Sequence, residues 1–105
     1  MTNEEFEKII QERISDTLRR LIVKGKEYGS TDRLHNFKRA AQVLGCTPER
    51  ALVGFKTKHT VSLLDIIDGI DKGKNPSREM WDEKIGDEIA YCLLLDAVVS
   101  ERLKV

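Results

Sequence analysis

The chain has 105 residues, 40% of them hydrophobic and 34% charged. That length fits a single domain, residues 1–105, with a modest core, and the balance excludes global disorder. Eighteen basic residues offset eighteen acidic ones, so no global basic field draws the chain to nucleic acid, and little repulsion opposes self-association.

The two cysteines, Cys46 and Cys92, belong to no CxxC pair, and both sit in apolar stretches. They read as buried free thiols rather than a disulfide or a zinc site. Residues 3–20 are too dense in charge for a signal peptide, and the longest apolar run, 89–95, is too short to span a bilayer. A cytoplasmic protein with no membrane partner is expected.

In chain order, Asn3 reads as the cap of a first helix, with Glu4, Glu5 and Glu7 near its positive end. Phe6, Ile10, Ile14, Leu18, Leu21 and Ile22 recur at helical spacing. The stretch KGKEYGSTD then turns the chain. A second helix is expected over about Asp32 to Leu44, with Gly45 as a left-handed terminator. Thr47 and Pro48 start a third helix. It runs to about Ile70 and carries Leu52, Phe55, Leu63, Ile66 and Ile70 on one face. DGIDKGKNPS is the clearest loop. Ser77 caps a fourth helix that continues to about Leu103. No segment alternates as a strand does. The expected fold is all-α, about four helices in a small bundle.

The fourth helix carries the most chemistry in WDEKIGDEIAYCLLLDAVV. Glu83 and Asp87 stand one turn apart, and the same side continues through Ala90, Tyr91 and Leu94. Carboxylates at the entrance to a core are costly unless a cation offsets them. Between Ile89 and Val99 only Asp96 is charged. A helix so apolar is central or packs on a second copy, and a homodimer through it is the expectation.

Asp65 and Asp68 lie on the third helix, across the loop from Glu83 and Asp87. If the two helices are antiparallel, four hard oxygen donors near the loop end would suit Mg²⁺. Such a metal could bind a nucleotide's phosphates and activate water. A solvated acidic face explains Asp65 and Asp68 equally simply, and an acidic first turn explains Glu83 and Asp87. His59 falls within the third helix's apolar face, as a core histidine or a ligand contact, and Lys56 and Lys58 beside it could hold phosphates. Glu27, in KGKEYG, could join a site between helices or be a plain loop acid. AAQVLGCTPERALVGF has the outline of a helix-turn-helix, with Ala41 and Gly45 at the usual spacing. Ala51 and Gly54, however, stand where branched apolar residues normally pack.

Three segments together, KGKEYGSTDRLHNFKRAA, TPERALVGFKTKHTVSLLDII and WDEKIGDEIAYCLLLDAVV, resemble a family of small helical proteins of phages and prophages of Gram-positive bacteria. Their order resembles the phage nucleotide-modification-associated helical domain, which pairs a K-x-x-[DE]-Y-G turn, a basic helix and a C-terminal acid–Tyr helix. More distantly, both resemble the all-α MazG-like nucleotide pyrophosphohydrolases. In the latter, an EExxE helix and an ExxD helix hold Mg²⁺ and hydrolyse nucleoside triphosphates. The resemblance implies that Asp87, with Glu83 one residue before its motif position, holds Mg²⁺ and that Asp65 and Asp68 complete the shell or position water; Lys56, Lys58 and His59 would then steady the phosphates, with Glu27 joining the site. It also implies a bacterial host cell. The motif departs from the pattern at two places: Leu64 takes the first acid position of EExxE, and Lys84 takes the glutamate position of ExxD. A magnesium-dependent nucleotide-binding protein, with or without hydrolysis, is therefore the leading expectation. A non-enzymatic interaction module and a helix-turn-helix regulator are the alternatives.

Overall fold

Local capping chemistry sets most of the helix starts in the computed structural model, which describes residues 1–23, 25 and 31–104. The first helix, α1 (Asn3–Leu18), is capped by Thr2 rather than Asn3. Thr2 Oγ1 accepts from the Glu5 backbone N–H at 3.1 Å, and Glu5 Oε2 accepts from the Thr2 N–H at 3.0 Å. This capping box needs a hydroxyl three residues before a glutamate, which Thr2 has and Asn3 lacks. A π-helical turn, Arg19–Val23, continues the chain. The apolar series at helical spacing, Phe6, Ile10, Ile14 and Leu18, is exposed along its length. Residues Met1–Thr31 form one compact unit and Asp32–Val105 a second.

The second unit holds three helices. Asp32 Oδ1 accepts from the Leu34 N–H at 3.0 Å, and α2 (His35–Leu44) follows. Gly45 ends α2 in the left-handed conformation, φ +68°, and the Cys46 N–H returns to the Ala41 carbonyl at 3.0 Å. Thr47 then caps α3 (Pro48–Asp71), its hydroxyl accepting from the Arg50 N–H at 3.1 Å. Gly73, φ +81°, turns the chain out of α3, and Ser77 caps α4 (Arg78–Leu103). Among the described residues there is no strand, so the all-α expectation holds. Among the described residues, no helix is long and apolar enough to cross a membrane.

The core of this unit gathers Leu34, Phe37, Leu52 and Val98, with Tyr91, Leu94 and Leu95 packed against it. Leu52 is fully buried. The Phe37 ring meets Phe55 edge-on at 5.8 Å and Tyr91 at 6.4 Å, which ties α2 to both long helices. Helices α3 and α4 run antiparallel, since Glu49 pairs with Arg102 near one end and Lys56 with Glu88 further along. Such packing buries only part of each long helix. On α3, Phe55 and Ile70 remain exposed although their period marks them as core. On α4, Leu93 is 47% exposed. Both cysteines are free, as expected, but neither is buried: Cys46 is half-buried and Cys92 exposed. Cys92 is offset by about 100° from Tyr91 around α4, away from the side that meets α3.

Candidate functional site

The antiparallel pairing of α3 and α4 brings a layer of polar side chains together from both helices. Lys56 Nζ donates to Glu88 Oε2 at 2.7 Å and to Thr60 Oγ1 at 3.2 Å. The Thr60 hydroxyl donates to the other Glu88 oxygen at 2.5 Å. Both Glu88 oxygens are thus bonded across the interface. One turn along α3, His59 Nδ1 lies 3.2 Å from Asp87 Oδ2. The imidazole stacks on Tyr91, with centroids 4.9 Å apart and planes 32° from parallel. His59 and Asp87 keep about a fifth of their side-chain surface open, 21% and 23%.

Burial acts most strongly on the Glu88 carboxyl and pushes its pKa up. The hydrogen bonds from Lys56 and Thr60, with the nearby charges of Lys56 and His59, outweigh it and leave Glu88 below its ordinary value. The interface therefore holds Glu88 as an anion.

The other residues read from the sequence fall as follows. Glu83 stands one turn before Asp87 on α4 with its side chain 63% exposed, and its carboxylate lies 3.7 Å from Lys84 Nζ. Asp65 and Asp68 are exposed on α3. At 100° per residue they sit about 120° and 180° around the helix from His59. The four acids expected to converge are therefore not gathered on one face. Among the described residues, no group of three or more histidine, cysteine, aspartate or glutamate side chains comes together as a metal cluster would. Lys58 is exposed, while Lys56 is taken up by Glu88. Glu27 lies outside the described residues.

Sequence reasoning missed Glu88 and Thr60, and it took Tyr91 for core alone. The short connection implies an antiparallel hairpin, but it does not give the register, and the register is what sets Lys56 against Glu88 and His59 against Asp87.

A cavity of about 330 Å³ in this unit lies elsewhere, lined by Leu34, Pro48 and Val98 with Lys38, Glu49, Glu101 and Arg102. Its charges are spent on one another. Arg102 holds Glu49 through two bonds, one of them 2.8 Å, and Lys38 bridges Glu101 and Asp32. It is a weaker candidate than the half-open His59–Asp87 pair. No family model matches the chain, and no curated protein or solved structure matches it either.

Proposed function

We propose that this protein binds a nucleotide as its magnesium complex on the α3–α4 face around His59 and Asp87. The observation that carries the reading is the His59–Asp87 contact itself. It is a cross-helix imidazole–carboxylate pair, steadied by an aromatic ring and left partly open to solvent.

Glu83 and Asp87 fit the metal expected from the resemblance. Mg²⁺ keeps several waters and commonly takes one or two protein carboxylates, with substrate phosphates completing its shell. Two acids one helical turn apart, one well exposed and the other half-open, supply that number. Mg²⁺ bound there would neutralise charge on the phosphates. His59, with Nδ1 turned to Asp87, presents its remaining edge to a phosphate oxygen. Lys84, beside Glu83, adds a cation at the same end of α4. In this reading Asp65 and Asp68 lie outside the first contacts, because they occupy another side of α3. The likeness to the phage nucleotide-modification-associated domain, through WDEKIGDEIAYCLLL, points to the same ligand class.

Titration calorimetry with Mg²⁺ and a panel of nucleoside triphosphates tests the proposal. Wild-type protein is expected to bind at least one of them, and Glu83→Ala/Asp87→Ala to bind it weaker by about tenfold or more. Equal affinity in both proteins, or no binding to either, overturns it.

A further inference from the structure

The side of α3 turned away from α4 forms a stripe of its own. Arg50, Val53, Thr57, Val61, Leu64 and Asp68 fall within about 80° of one another around the helix and span about 27 Å of its length. All six are exposed. The apolar members keep 43%, 49% and 52% of their surface open for Val53, Val61 and Leu64, and Ile67 adjoins them at 41%. Exposed aliphatic side chains spaced along about three turns of one face, with the small Thr57 between them, mark an interaction surface.

The charges at its two ends choose the occupant. Arg50 stands at the N-terminal end and Asp68 at the C-terminal end, and neither has an ion pair among the described residues. Lys58 and Asp65 repeat the order along one flank. A second α3 laid antiparallel about a two-fold axis near residue 59 sets each Arg50 beside the other copy's Asp68, and each apolar segment on its counterpart. A parallel pairing sets like charges together. Self-complementarity of this kind is what a two-fold symmetric interface requires. The same axis places Leu64 of one copy across from Gly54 of the other. A side chain built at Gly54 would meet nothing within 4 Å, so the groove there is open to receive the leucine. Zero net charge leaves no long-range repulsion between copies.

We propose that a second copy of this chain docks antiparallel on the outer face of α3, with Arg50 of each copy paired to Asp68 of the other. The inference is independent of nucleotide binding, and it places self-association on α3 rather than on the apolar C-terminal helix.

Sedimentation velocity over a concentration series tests it. Wild type is expected to be dimeric. Leu64→Asp is expected to be monomeric with unchanged helical circular dichroism, since Leu64 is surface-exposed. Arg50→Asp and Asp68→Arg, each alone, juxtapose like charges and are expected to weaken the dimer on the order of tenfold or more. Mixed one to one, these two variants restore opposite charges at both ends and are expected to form a heterodimer of wild-type affinity. A wild-type monomer throughout, a dimer indifferent to these changes, or a mixture that fails to recover overturns the proposal.

Discussion

Replacing Lys56 by Met keeps most of the apolar stem within the α3–α4 interface and removes the charged amine. In the wild type, the bonds from Lys56 and Thr60 outweigh the burial that pushes Glu88 up, so the folded-state pKa lies below its ordinary value of about 4.5. A lowered carboxyl pKa stabilises the fold above the unfolded value, and that contribution is lost as pH falls through the folded one. Without Lys56, one of the bonds and one of the charges that hold the Glu88 pKa down are gone, so it rises from its wild-type position and its stabilising contribution at neutral pH shrinks. A hydrogen bond to a charged group contributes about 1.5–3 kcal/mol, and the pair's partial exposure lowers the expected loss to about 1–2 kcal/mol. For a domain of this size that is a fall in Tm of roughly 5–15 °C near neutral pH. Melts followed by circular dichroism over a pH series descending from about pH 7 check the reasoning, because the difference between the proteins shrinks as Glu88 becomes protonated. A loss of the same size throughout the series refutes it, and would assign Lys56 to packing of its methylene chain.

Three further substitutions separate the contributions within the second unit. Leu52→Ala empties a fully buried site and is expected to cost about 2–5 kcal/mol in urea denaturation. Leu64→Ala, measured on monomeric protein at low concentration, should cost less than about 1 kcal/mol, since half its surface is already in water. Gly45→Ala is expected to cost about 1 kcal/mol in the same assay. The new methyl group meets nothing within 4 Å, so the cost comes from φ +68° alone.

Where the physics is local, the sequence reads well. Gly45, the Thr47–Pro48 start and the Ser77 cap each act within four residues, and the ends of α2, α3 and α4 fall close to where those residues place them. The start of α1 differs by one residue because a hydroxyl–glutamate box prevails over a lone asparagine. Burial is less legible. The period of α1 marks Phe6, Ile10, Ile14 and Leu18 as one apolar face, but period shows only that a face exists and not that anything covers it. The same holds for Phe55 and Ile70 on α3. The polar layer sits at the far limit of legibility: Lys56 and Glu88 are 32 residues apart, and no local rule ties them. Asp87 was readable as a special carboxylate from its place above an apolar side. Its partner proved to be the His59 imidazole rather than the aspartates of α3.

The account rests on the half-open His59–Asp87 pair being where a ligand lands. Amide and imidazole NMR spectra of the wild-type protein, recorded through a titration with a magnesium–nucleoside triphosphate complex, test this most directly. Saturable shifts are expected, concentrated at His59, Glu83, Lys84 and Asp87, with the His59 ring signals moving most. Spectra that do not change, or shifts centred on the Lys38–Arg102 cavity instead, would contradict it.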